Sequence, residues 1–161
     1  MSIPSRQRRT ILGLLVLLSL SLGAVATQEA SAAAFRRHYY SSWSYYPQRT
    51  YYYSYYYYKP YTSYAKYDYH YCVYYPSRTR YVYYYNPVRR VYWGRYDLEK
   101  KGYSLLAEDD RKANLDEIPE AAFPEPGEMP AIPGAKDGER MIPIDPATLP
   151  TAQARDDAPG Q

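Results

Sequence analysis

All 25 tyrosines of this chain fall between Tyr39 and Tyr103, and that concentration limits what it can fold into. The run Tyr51-Tyr52-Tyr53-Ser54-Tyr55-Tyr56-Tyr57-Tyr58 is almost pure phenol. A tyrosine offers a flat apolar ring and one hydroxyl that needs a partner when buried. Such side chains suit half-dry, half-wet places: interfaces, sheet surfaces and stacked assemblies. Residues 35–96 carry Arg36, Arg37, Arg49, Arg78, Arg80, Arg89, Arg90, Arg95, Lys59 and Lys66 against the single acid Asp68. Guanidinium groups stack on aromatic faces, so tyrosine and arginine together make a sticky, multivalent surface.

Aliphatic matter is scarce. After residue 26 the chain holds only fifteen Ile, Leu, Val and Phe residues, too few to offset the ordering of the whole mature chain. The fold class expected is therefore mostly disordered, low-complexity chain, with a small antiparallel β meander at about 67–96 and a short helix near 108–115. Charge is asymmetric beneath a net +3: residues 35–96 carry about +9 and residues 97–161 about −8. Halves of opposite sign can pair within one chain or between chains.

Residues 1–34 read as a signal peptide. Arg6, Arg8 and Arg9 precede the apolar stretch 11–22, and small-residue sites follow at Ala24-Val25-Ala26, Ala30-Ser31-Ala32 and Ala32-Ala33-Ala34. Cleavage is expected between 26 and 34. The apolar stretch falls short of the roughly 20 residues of a membrane span, so no stable span is expected after signal removal. Gln7-Arg8-Arg9-Thr10-Ile11-Leu12 also fits a twin-arginine pattern, which leaves both export routes open. The expected location is the periplasm, cell surface or extracellular space.

Three segments should follow. Residues 35–66 show no hydrophobic period and are broken by Pro47 and Pro60, a tyrosine- and arginine-rich low-complexity stretch. Residues 67–118 form a small β-rich unit. In it Tyr67 to Tyr75 alternate as one strand, placing His70 and Cys72 on one face. Thr79–Tyr96 reads as a hairpin with Asn86-Pro87-Val88-Arg89 as a type I turn. That turn sets Val82 opposite Trp93 and Tyr84 opposite Val91, with Tyr83 opposite Tyr92 and Tyr85 opposite Arg90 on a wetter, stacked face. Gly94 marks a bend or close approach. Residues 119–161, which hold nine of the fourteen prolines, read as an acidic, extended and disordered tail.

The segments Tyr71-Cys72-Val73-Tyr74-Tyr75-Pro76, Asn86-Pro87, Tyr92-Trp93-Gly94-Arg95, Tyr103-Ser104-Leu105-Leu106 and Ile118-Pro119-Glu120-Ala121-Ala122-Phe123-Pro124 carry a resemblance. Their pattern resembles short exported tyrosine-rich proteins of planctomycete-type bacteria, a group with no known activity. The resemblance implies export and a bacterial envelope setting, and brings no functional residues with it.

The chemistry of catalysis is not written in this sequence. No glycine-rich phosphate loop or zinc-type spacing occurs, and the acids cluster in a tail expected to be solvated. No cofactor, metal ligand or catalytic residue is assigned, and nucleic acid is not expected as a partner of an exported chain. Cys72 is the single cysteine, expected to be inert or paired between chains. The function expected is that of a non-enzymatic structural or interaction protein of the cell envelope, self-associating through multivalent Tyr/Arg contacts that the acidic tail limits. The alternative is a small secreted binding module that presents an aromatic sheet face to a glycan or peptide. Its contact surface would be Tyr83, Tyr85, Arg90, Tyr92 and Trp93.

Overall fold

The structure is a computed structural model that describes residues 36–151; the signal-like residues 1–34 lie outside the described residues. Seven strands make one curled antiparallel sheet: β1 (His38–Tyr40), β2 (Ser44–Tyr46), β3 (Tyr51–Tyr58), β4 (Asp68–Tyr74), β5 (Tyr81–Asn86), β6 (Val91–Asp97) and β7 (Gly102–Leu105). The order across the sheet is β1-β3-β4-β5-β6-β7, and β2 also pairs with β3. β1 lies against Tyr56–Tyr58 and β2 against Tyr51–Tyr53 along the same edge of β3. Ser41 keeps that ladder continuous. Its N–H donates to the Tyr55 carbonyl at 2.9 Å, and its Oγ accepts from the Tyr55 N–H at 2.9 Å.

Tyrosine favours strands, and strands alternate their side chains between two faces. In β3 the alternation is complete: Tyr52, Ser54, Tyr56 and Tyr58 are buried, while Tyr51, Tyr53, Tyr55 and Tyr57 stay half-buried. On the buried, closed face these residues join Cys72, Tyr74, Val82, Tyr84, Trp93, Tyr96 and Tyr103. Small and large side chains alternate across it, with Ser54 paired to Cys72 and Cys72 to Tyr84. Several buried hydroxyls of this face find partners, while those of Tyr52 and Tyr103 are buried without one among the described residues. Tyr84 OH meets Tyr40 OH at 2.9 Å, Tyr40 OH donates to the Ile142 carbonyl at 2.7 Å, and Tyr56 OH lies 2.7 Å from His38 Nδ1. The Cys72 thiol is fully buried beside Tyr84, and burial pushes its pKa well up.

The β5–β6 hairpin differs in register from the sequence expectation. Its loop is wider: Asn86 pairs with Val91, and the Arg90 N–H donates to the Asn86 carbonyl at 2.8 Å. Asn86 Oδ1 accepts from the N–H groups of Val88 and Arg89, so the turn chemistry is asparagine's as expected. Arg90 closes the loop with φ of 58°. Tyr85 then faces Tyr92, and a register shift follows, so that Tyr84 faces Gly94 and Val82 faces Tyr96 rather than Trp93. Trp93 is the extra residue of this bulge. The division of residues between faces nevertheless follows the alternation, with Val82, Tyr84 and Trp93 on the closed face and Tyr83 and Tyr92 on the other. Gly94 is a close approach, because a Cβ there would collide with the Tyr103 ring. The strand does not end at it.

The largest correction concerns order. Residues 36–66, expected to be low-complexity chain, supply β1, β2 and β3. The tail packs as well, without regular structure of its own. Leu106, Leu115, Ile118 and Phe123 cover Tyr83, Tyr92 and Val73 on one face. The chain then passes the β7 edge, where Gly127 and Tyr103 exchange backbone hydrogen bonds of 2.8 and 2.9 Å. Met129, Ile132, Met141, Ile144 and Leu149 continue onto the closed face. The helix expected near 108–115 is absent; short 3-10 turns occupy Glu108–Asp110 and Leu115–Glu117. The physical reason is that an aliphatic count understates this core. Tyrosine rings supply the buried area, and the hydrogen bonds of Tyr40, Tyr56 and Tyr84 offset part of the penalty of burying their hydroxyls. No helix among the described residues is long and apolar enough to cross a membrane.

Opposite charges meet within the chain. Arg37, Arg78, Arg89 and Arg95 pair with Asp137, Asp116, Glu108 and Glu120 of the acidic half 97–161. Arg95 is nearly buried, with its guanidinium 3.8 Å from the Tyr81 ring and 4.0 Å from that of Phe123. Asp97 is buried two residues further along the same strand. Burial alone would raise its carboxyl, but Arg80 and the N–H groups of Lys100 and Glu99 outweigh it and hold the group below the usual range.

Candidate functional site

The second face is only half covered. Residues 106–123 shield it over β5 and β6, and the rings over β3 and β4 remain in reach of solvent. Rings touch in sequence from Tyr46 through Tyr51, Tyr75, Tyr83, Tyr92, Tyr85, Tyr71, Tyr55 and Tyr57 to Tyr39, with neighbouring centroids 5.1 to 6.4 Å apart. Strand spacing produces this pavement: Tyr51, Tyr53, Tyr55 and Tyr57 line one side of β3, and Tyr69 and Tyr71 one side of β4. Tyr57 is paired with Tyr69 and Tyr55 with Tyr71 across the two strands. Tyr69 is 38% exposed.

At one end the pavement sinks into a cavity of about 380 Å³ lined by Tyr46, Arg49, Tyr51, Tyr53, Tyr55, Tyr71, Val73, Tyr85, Tyr92 and Ala113. A smaller cavity of about 210 Å³ adjoins it, shares Arg49, Tyr92 and Ala113, and reaches Arg78, Asn114 and Asp116. Burial holds the hydroxyls of Tyr51, Tyr71 and Tyr92 protonated to higher pH than a free phenol; neighbouring phenols add to this. At neutral pH the site therefore offers apolar ring faces and neutral hydroxyls that donate or accept. It suits a flat ligand with one apolar side and a polar rim.

Of the five residues the sequence suggested, the structure brings Tyr85 and Tyr92 to this cavity. Tyr83 lies beneath Phe123 and Ile118, Trp93 points into the closed face against His70 and Tyr103, and Arg90 sits on the exposed hairpin turn. The residues missed are Tyr46, Arg49, Tyr51, Tyr53, Tyr55 and Tyr71. For Tyr51, Tyr53 and Tyr55 the signal is period two within 51–58, which is hard to see when nearly every position of both faces is tyrosine. His70 and Cys72 do share a face as expected. His70 packs on Trp93 and Tyr58, and burial lowers its pKa to about 4. No group of three or more His, Cys, Asp or Glu residues among the described residues is placed to hold a metal.

No family model, curated protein or solved structure matches this chain.

Proposed function

We propose that this chain is an exported, non-catalytic binding module of the bacterial envelope that holds an extended glycan on its tyrosine pavement. The observation that carries the reading is the half-covered face. The chain folds its own residues over β5 and β6 yet leaves Tyr53, Tyr55, Tyr57, Tyr69 and Tyr71 accessible beside a cavity. A contiguous aromatic surface of this kind marks an interaction site. Sugar rings fit it: each has a C–H face to lie on a phenyl ring and hydroxyls at its rim to meet tyrosine hydroxyls or water. An extended peptide fits less well, because the backbone groups of β3 and β4 beneath the pavement are spent in their ladders. The arginines that would drive multivalent assembly between chains are largely engaged by carboxylates of the same chain.

The test is co-sedimentation of the mature protein with cellulose, chitin and peptidoglycan sacculi, with soluble oligosaccharides titrated against tyrosine and tryptophan fluorescence. Retention should fall about tenfold or more in Tyr55→Ala and Tyr71→Ala. Concentration-dependent assembly with no glycan retained would instead return the leading role to self-association.

A further inference from the structure

We infer that the ligand of this site carries a carboxylate, so that its class is an acidic, uronate-containing glycan met by Arg49; the inference rests on the glycan-binding reading above. Seven arginines of the described residues (Arg37, Arg78, Arg80, Arg89, Arg95, Arg111 and Arg140) each have a carboxylate partner within 4 Å. Arg49 has none among the described residues. It is also the only charged residue lining the larger cavity. In the adjoining cavity the other cation, Arg78, is already neutralised by Asp116 at 2.8 Å. The groove formed by the two cavities therefore carries one uncompensated positive charge at their junction.

The backbone turn places the Arg49 side chain at the cavity. Arg49 ends the 3-10 turn Pro47–Arg49 between β2 and β3, and the next residue, Thr50, takes φ of 52°. A β-branched residue in the left-handed region is an outlier that the surrounding turn must hold in place. It turns the chain sharply enough that Tyr46, Arg49 and Tyr51, three residues of one short hairpin, all line the same cavity. A planar guanidinium beside a phenol floor matches a pyranose that bears a carboxylate: the ring stacks while the fork binds both oxygens. A neutral sugar could accept hydrogen bonds from Arg49 but would leave its charge uncompensated.

The experiment uses the full mature chain with oligogalacturonate, oligoalginate and oligoglucuronate, each beside its methyl ester, which keeps the ring and removes the charge. The acid forms should bind about tenfold more tightly than their esters, equivalent to about 1.4 kcal/mol, and more weakly as salt rises. Arg49→Gln should erase that difference, whereas Tyr55→Ala should weaken acid and ester alike; the Arg49 side chain is exposed and makes no ion pair among the described residues, so the variant keeps its fold, as near-ultraviolet circular dichroism will verify. Equal binding of acid and ester, or a preference that survives Arg49→Gln, overturns the carboxylate inference while glycan binding stands. Binding of an acidic proline-rich peptide in place of any sugar overturns the ligand class. Failure of every acid and ester in the panel, together with the neutral polysaccharides, overturns this inference and the binding reading at once.

Discussion

Apart from Ser54 on the closed face, the two faces of strand β3 are made of the same residue, and they end in opposite states. Tyr52, Tyr56 and Tyr58 on the closed face are 0–7% exposed, whereas Tyr51, Tyr53, Tyr55 and Tyr57 are half-buried. Composition does not create the difference. What separates them is the segment that arrives from elsewhere: Met129, Ile132, Met141, Ile144 and Leu149 lie over the closed face, and residues 106–123 stop short of β3 on the open one. A phenol suits either state, being apolar enough for a core and polar enough for a surface. The tail therefore assigns core and site to an otherwise symmetrical strand.

Removing the tail is the strongest way to break that contrast. A chain ending at Glu128 loses four or five apolar side chains from the closed face. At roughly 1.5–3 kcal/mol each, this rivals the whole stability of a domain, about 5–15 kcal/mol. Near-ultraviolet circular dichroism and urea titration should find no cooperative transition. An unchanged midpoint would mean that the tail only decorates a self-sufficient sheet.

Next in size is a pair of substitutions one residue apart. Tyr56→Ala removes a fully buried ring and its hydrogen bond to His38, and should cost about 3–5 kcal/mol. Tyr55→Ala removes a half-exposed ring and should cost about 1 kcal/mol. Equal losses by denaturant titration would show that the two faces are energetically alike.

The smallest effect is a pH response belonging to the closed face. His70 is buried and neutral, with its pKa lowered by burial to about 4 against an unfolded value of about 6.5. A depressed histidine favours the folded state fully above pH 6.5, and that contribution is lost as pH falls from 6.5 towards 4, where the unfolded chain binds the extra proton. Between pH 7 and 5 the loss should be about 2 kcal/mol. His70→Phe should flatten the stability profile across this window; a profile as steep as the parent's would place the titration elsewhere.

Local chemistry was legible in the sequence. The strand at 67–75, the consecutive β4–β5–β6 meander, the capping role of Asn86 and the close approach at Gly94 all follow from period two, turn preference and the lack of a Cβ. The hairpin register was not legible, because the Asn86 turn tolerates either loop width and the extra residue at Trp93 depends on what packs against it. Strand β3 was hidden because hydrophobic patterning needs a contrast between faces, and tyrosine supplies none. Most of the candidate cavity was hidden with it.

What the sequence determined by itself is the material: a β-prone, phenol-rich centre, an arginine surplus there and an acid surplus behind it. Those surpluses meet as Arg37–Asp137, Arg78–Asp116, Arg89–Glu108 and Arg95–Glu120. Only the tertiary structure decided that the proline-rich tail is part of the core, which face is closed, and that Arg49 stands beside the cavity without a carboxylate partner among the described residues. The reason is physical: the apolar residues of the tail are too sparse to form a core of their own, and they gain a buried environment only on a sheet assembled from residues far away in the chain.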